Sequence, residues 1–304
     1  MKQIAVLGTL TLSVVLLTST PALSQDAGGT LKKIKDSGAA TMGVRESSGG
    51  LSFTVGDGKF AGFHVELCQR ALADVQKQLG MAKLDIKYQP VTSQNRIPLT
   101  QNGTVDIECG STSNTAARKQ QVAFALTTYI TEARFAVKAA SGIEKAEQLR
   151  GKTIVTTTGT TLVQRLRKLE RQGLAFNVVY GKDHADSFLL VEAGRADAFA
   201  MDDNTLAGNI AAAKNPKDFR IVGEPLGVEP IAIMLRRDDP KFKAAVDGEI
   251  RRLMASGELE KLYARWFTQP ILPAGAVIGI PFPQTLKAAF QNPNDDPAEA
   301  YEKE

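Results

Sequence analysis

The 304-residue sequence predicts an α/β protein with two successive sheets. Three observations carry that reading. Helix and strand periodicities alternate along the chain, the length suits two domains, and the same helix–glycine–strand unit occurs once in each half.

In chain order, Met-Lys is followed by the apolar run "IAVLGTLTLSVVLL" and then "TSTPALSQ", the pattern of a secretory signal cleaved after Ser24. The run is short for an anchor, and no later stretch approaches the roughly 20 apolar residues of a membrane span. No cysteine follows the signal closely, which argues against a lipid-anchored form. The expectation is an exported, soluble mature chain. "LKKIKDSGAA" reads as a short helix closed by Gly38 and "TMGVR" as a strand. "HVELCQRALADVQKQLG" has helical apolar spacing with a stop at Gly80, and "KLDIKYQPV" alternates as a strand does. A short helix from "NRIPLTQNG" and the strand "VDIECG" follow, then "YITEARFAVKA", which is long enough to cross between domains. The second series is "KTIVTT" (strand), "TLVQRLRKLERQG" (helix), "FNVVYG" (strand), "SFLLVEAG" (helix) and "ADAFAM" (strand). After "IAIMLRR", helices are expected from "PKFKAAVDGEIRRLMASG" and "ELEKLYARWF". The charged, proline-containing end "NPNDDPAEAYEKE" reads as a frayed tail.

Composition excludes more than it identifies. A net charge of +4 with 23% charged residues and no long basic tract makes nucleic acid a poor partner. His64 and His184 are the only histidines and neither belongs to a ligand cluster, so no metal site is expected. Cys68 and Cys109 are an even pair in an exported chain. One falls on a helix and the other at a strand end, and either a disulfide or two buried thiols fits.

The internal correspondence points to a site. In "LTQNGTVDIECGS" and "LVEAGRADAFAMD" an apolar helix ends at glycine, aspartate follows three residues later, and a strand begins. Eight residues beyond Gly103 lies Ser111, and eight beyond Gly194 lies Asp202. Each half thus delivers a polar residue at an equivalent strand end, where open α/β sheets bind ligands. "ECGSTSNTAAR" adds hydroxyls and Arg118 after one strand, and "GTT" (Gly159, Thr160, Thr161) opens a helix after another. Free N–H groups at a helix start favour an anion, though the threonines also suit an ordinary cap. A Walker-type loop is excluded, since no Gly-Lys-Ser/Thr follows.

Together "GVRESS", "VTSQNRIPLTQNGTVDIECGSTSN", "TTGTT", "KDHADSF", "EAGRADAFAMDD" and "MLRRDDP" resemble the periplasmic glutamate/aspartate-binding proteins of polar amino-acid ABC transporters, solute-binding protein family 3. The resemblance implies a two-lobed periplasmic-binding-protein fold of type II, with a ligand cleft between lobes joined by two crossing segments near 130–136 and 229–235. It divides the chain into a signal peptide (1–24), a first lobe (25–132 with 233–304) and a second lobe (133–232). By the same resemblance Arg118, Ser111, Ser113 and Thr161 would hold an α-carboxylate and Asp202 an α-ammonium. Arg45, Ser93 and Arg96 would hold a side-chain carboxylate, with His184 closing over it. The implied protein is a periplasmic monomer without a cofactor, trapping L-glutamate or L-aspartate by hinge closure and docking on an inner-membrane ABC permease.

The charges agree with that implication. A dicarboxylic amino acid brings two carboxylates and one ammonium to three arginines and one aspartate, and guanidinium–carboxylate pairs are directional as well as charged. Breaking a buried pair costs about 3–5 kcal/mol, at about 1.4 kcal/mol per tenfold. Discrimination against glutamine of two orders of magnitude or more is therefore expected. One departure stands out: relatives carry a proline–aromatic pair after "RESS", where this chain has Gly49-Gly50-Leu51, with Phe53 the candidate replacement for the missing ring. The resemblance also leaves two rivals: a sensory binding protein, and a periplasmic dehydratase-like enzyme on the same architecture.

Overall fold

In the computed structural model, residues 29–271 and 275–302 are described; the expected signal peptide lies outside them. The first described element is α1 (Thr30–Ser37), whose last turn is closed by Gly38 at φ 69° donating its N–H to the Ile34 carbonyl. Strand β1 (Ala39–Val44) leads into a small antiparallel meander, β2 (Ser47–Ser48), β3 (Ser52–Gly56) and β4 (Lys59–Ala61). Helix α2 (Phe63–Gln78), β5 (Asp85–Pro90), α3 (Arg96–Gln101), β6 (Ile107–Glu108), α4 (Ala116–Lys119) and β7 (Val122–Phe124) complete the first pass. The long β8 (Tyr129–Lys138) then carries the chain away.

The second unit is β9 (Thr153–Thr157), α5 (Leu162–Arg171), β10 (Asn177–Gly181), α6 (His184–Glu192), β11 (Ala198–Asp202), α7 (Asp203–Ala212) and β12 (Phe219–Val222). Strand β13 (Val228–Ile231) returns antiparallel to β8, with Ile231 opposite Tyr129 and Val228 opposite Glu132. Then come β14 (Met234–Arg236), α8 (Pro240–Ala255), α9 (Glu258–Phe267) and α10 (Gln284–Gln291).

The sheet orders explain where a site can form. In the first sheet, β5-β1-β6-β14-β7, strand β1 runs parallel to both β5 and β6. In the second, β10-β9-β11-β8-β12, strand β9 runs parallel to both β10 and β11. Each sheet therefore has a switch point, and loops leaving adjacent parallel strands diverge there to leave a crevice. Each sheet also has its own core. Phe63, Leu67, Leu72, Phe242, Ile250 and Phe267 are fully buried in one, and Phe135, Ile154, Val155, Phe199 and Leu206 in the other. At the base of the crossing strand, Tyr129 packs on Phe267 and Tyr263 with ring centroids 4.9 and 5.8 Å away, anchoring β8 in the first core.

Three features depart from the sequence reading. The C-terminal segment is docked, not frayed. The Thr127 N–H reaches the Asn294 carbonyl (2.9 Å), the Ala298 N–H reaches the Asn114 carbonyl (2.8 Å), and Asn114 Nδ2 donates to the Asp295 carbonyl (2.7 Å). Its polar residues carry the very backbone groups that satisfy the loop after β6, so low hydropathy here marks a hydrogen-bonded strap. Helix α6 begins at His184, a turn earlier than the apolar pattern indicates, because its first turn faces the cleft. Helix α7 has no strong sequence signal, since Asn204, Asn209 and Gly208 are weak helix formers held by the packing around them.

Cys68 on α2 and Cys109 after β6 form a disulfide, with Cα atoms 6.3 Å apart across 41 residues. Closing a loop of that length restricts the unfolded chain, so the Cys68→Ala/Cys109→Ala double variant is expected to lose about 2–4 kcal/mol of stability. Urea unfolding of the two proteins under oxidising conditions measures the difference.

Candidate ligand-binding cleft

The two switch points face each other. A narrow cavity, closed down until it has no room for a water molecule, lies between them, lined by Ser93, Arg96, Ser111 and Ser113 from the first lobe and Thr160, Thr161, His184, Met201 and Asp202 from the second. Of the residues the sequence singled out, only Arg45 and Arg118 are not on its wall, and both touch residues beside it. Arg45 Nη1 donates to Ser93 Oγ (3.0 Å), and Arg118 donates to the carbonyls of Ser113 (2.9 Å) and Gly159 (3.2 Å). Thr160 lines it as part of the "GTT" turn already read as an anion signal, and Met201 is a lining residue that the sequence reading did not place there.

Arg96 is 2% exposed, and its Nε and Nη1 have no partner among the described residues. Burial, together with the charges of Arg118 and Arg45, brings its guanidinium down to about 9, against the opposing pull of Glu108 and Asp202. It remains charged at neutral pH, so two strong donors stand ready for an anion. Arg118 is also shifted down by burial, with Glu229, Asp202 and Glu108 opposing. Across the cavity Asp202 Oδ1 is buried without a partner. Burial, then Glu229 and Asp203, holds this carboxyl well above the usual range despite Arg96 and Arg118.

His184 is anchored through Nδ1, 2.9 Å from Thr157 Oγ1, which lies 2.8 Å from Ser187 Oγ. That leaves Nε2 unpartnered, and burial with the nearby Arg45 charge holds the ring down to about 3, neutral at physiological pH. Ser111 Oγ donates to Ser48 Oγ (2.9 Å), which fixes its rotamer and leaves its lone pairs for another donor. Thr161 is the N-cap of α5, yet its side chain makes no capping bond and it adopts helical angles, so its hydroxyl is not committed to its own helix.

Three acids complete the charge pattern, and the sequence reading missed all three. Glu108, fully buried at the end of β6, accepts from Thr112 Oγ1 at 2.7 Å. Glu229 on β13 pairs with Arg165 (2.8 Å). Asp183 forms an ion pair with Arg45 from the opposite lobe. The cleft's arginines are thus partly compensated before any ligand arrives, and the expected balance of three arginines against one aspartate is revised. The available signals were weak: a glutamate at a strand end, a glutamate on a crossing strand, and the aspartate before His184.

Backbone sterics bring the lobes this close. Gly159 (φ 82°) lies where a Cβ would come within 2.8 Å of the Ser93 carbonyl carbon and oxygen across the cleft. Gly49 and Gly208 meet backbone to backbone: a Cβ on Gly208 would stand 2.3 Å from the Gly49 Cα. Phe53 does not replace the aromatic wall. It packs edge-on against Trp266 (5.9 Å) and lines a separate groove with Ile271 and Ile278.

Residues 40–269 match the bacterial extracellular solute-binding proteins, family 3. The chain belongs to that family. An L-glutamate/L-aspartate-binding protein from Pseudomonas aeruginosa is 41% identical over 288 residues, 94% of this chain and 95% of that one. A glutamate/aspartate import solute-binding protein from Escherichia coli is 42% identical over 270 residues, 88% of this chain and 89% of that one. Among solved structures, a mutant of ArgBP from T. maritima aligns at a TM-score of 0.69 with 26% identity, over 79% of this chain and 99% of that one. No helix among the described residues of this family 3 protein is long and apolar enough to cross a membrane.

The glycine contact gives a clean test of the lobe-to-lobe approach. Gly208→Ala suits helix α7 intrinsically but places a methyl against Gly49, an overlap worth about 1–3 kcal/mol. The ligand-free protein is expected to keep or slightly raise its thermal midpoint, while affinity falls roughly tenfold to a hundredfold. Thermal unfolding and titration of the same sample check both.

Proposed function

We propose that this family 3 solute-binding protein captures L-glutamate or L-aspartate in the periplasm by hinge closure and delivers it to an ABC transporter permease. Arg118, Ser111, Ser113 and Thr161 grip the α-carboxylate. Asp202 accepts the α-ammonium. Arg45, Ser93 and Arg96 receive the side-chain carboxylate, and His184 closes over it. The lobes are residues 25–132 with 233–304, and 133–232, turning about β8 and β13 as one monomer with no cofactor. The curated relatives matched above are binding proteins, which supports capture and release over chemistry.

The observation that carries the reading is the pairing, in one small cavity, of Arg96 with two unpartnered donors and Asp202 with an unpartnered acceptor. A zwitterion with a second carboxylate answers both. Buried polar groups left unpaired cost about 1–3 kcal/mol each, and more when charged, so the ligand that pairs them all is strongly preferred to one that leaves a charge alone.

Calorimetric titration of ligand-stripped, refolded protein with L-glutamate, L-aspartate and L-glutamine tests it. Tight binding of an acidic amino acid and at least a hundredfold weaker binding of glutamine is expected, from about 3 kcal/mol or more of lost pairing. Arg96→Ala should erase most of that preference. Equal affinity for all three would overturn the assignment of Arg45 and Arg96.

Asp202 adds a pH signature. Its carboxyl is raised in the protein, and a bound ammonium favours the carboxylate, so binding lowers its pKa and releases a proton. Affinity therefore rises with pH between the bound and free pKa values. Calorimetry in buffers of different ionisation enthalpy is expected to show net proton release on binding within that window, and Asp202→Asn is expected to lose it.

A further inference from the structure

Helix α6 starts at the cleft with an unusual cap. Asp183 is its N-cap in extended geometry, the residue type and backbone that normally accept an N–H of the helix's first turn, yet its carboxylate makes no capping bond. It turns across the cleft instead: Oδ1 pairs with Arg45 Nη2, and Oδ2 accepts from Ser47 Oγ at 3.1 Å. The vacated capping role passes to the other lobe, since the Ala185 N–H donates to Ser47 Oγ at 3.1 Å. Asn209 Nδ2 of α7 adds a bond to the Ser47 carbonyl at 3.4 Å.

We propose that Ser47 and Asp183 form an exchangeable latch: in the closed protein Ser47 caps α6 from the opposite lobe and Asp183 pairs with Arg45, and on opening Asp183 returns to cap its own helix. The device rests on the functional reading above and deepens it, because it adjoins the site on both sides. Ser47 lies two residues beyond Arg45, and Asp183 lies immediately before His184. Neither Ser47 nor Asp183 lines the Arg96–Asp202 cavity. Both are positioning residues that set how long the closed state persists.

The exchange has a kinetic consequence. Separated lobes do not strand the Ala185 N–H, because the Asp183 carboxylate is within one turn of it, so the latch favours closure without a prohibitive barrier to opening. Ligand first docking on one lobe does not feel the latch; ligand already enclosed does. Removing it should therefore change release and leave association nearly untouched.

Stopped-flow kinetics with L-glutamate and L-aspartate on the full mature protein test this. Ser47→Ala is expected to accelerate release roughly tenfold, the scale of one or two lost charge-assisted or capping bonds, with association within about twofold. Ser47→Thr keeps the hydroxyl and should restore slow release. Asp183→Asn, which can still cap α6 but loses the ion pair, should also release faster. Unchanged release in both Ser47→Ala and Asp183→Asn overturns the latch, as does a Ser47→Ala effect that Ser47→Thr does not rescue. If wild type binds neither amino acid, the functional reading fails separately. The latch is then judged by small-angle scattering of the ligand-free proteins, where an unchanged radius of gyration in the Ser47→Ala/Asp183→Asn double variant overturns it.

Discussion

The structure is organised around the burial of guanidinium charge. Arg45 and Arg96 are essentially inaccessible and Arg118 nearly so, and isolated buried charges are among the most expensive arrangements a protein can hold. Compensation comes from elements far apart in sequence. Glu108 ends a strand of the first sheet, Asp202 ends one of the second, Glu229 lies on a crossing strand, and Asp183 opens a helix of the far lobe. Only the juxtaposed lobes assemble all of them, so the electrostatics of the site and the relative position of the lobes are one problem.

Topology makes that assembly possible. Because β1 and β9 each have parallel neighbours on both sides, the loops leaving their ends diverge, and both sheets aim those ends at one cleft. The first sheet's loops are pinned from behind. The Cys68–Cys109 disulfide joins the strand end to α2, and His64 on the same helix contacts the Gly110 carbonyl (2.6 Å) and Thr128 Oγ1 (2.8 Å). Burial holds that imidazole down to about 4, so it stays neutral and serves as a strut between the loop after β6 and the start of β8. The strap at 292–302 braces the same loop from its other side.

The sequence disclosed the parts of this design whose signals are local. Helical spacing and glycine stops located α2, α5 and α8, and the match between Gly103–Ser111 and Gly194–Asp202 pointed to equivalent strand ends. The internal match, the hydroxyls of "ECGSTSN" and the "GTT" turn pointed to Ser111, Ser113, Asp202 and Thr161, and the family resemblance implied Ser93, Arg96 and His184; all seven line the cavity. What was not legible is cross-lobe or tertiary in origin. Asp183 reads as an ordinary residue before a helix because its partner is 138 positions away. Helix α7 is formed from weak helix formers because its glycine must meet Gly49. The C-terminal strap looked disordered by composition, since its stabilising contacts are backbone hydrogen bonds that hydropathy does not encode.

Gly49-Gly50 takes on a different meaning in this light. Where relatives are expected to place a ring, this chain places bare backbone that meets α7, and on its other side Gly50 packs against Phe267 and Ile278 at distances too short for a Cβ. The lost ring contact is replaced by direct lobe-to-lobe contact, which shifts part of the closing free energy from the ligand to the protein. A ligand shifts a two-state equilibrium only by its differential affinity for the two states. Contacts such as Gly49–Gly208 and Ser47–Asp183 therefore set how much of that difference the ligand must supply, whereas under the proposed assignment the buried arginines decide which ligand supplies it. On that assignment a change in the lobe-to-lobe contacts scales the affinity of every enclosed ligand alike, while a change at the arginines alters affinity and preference together.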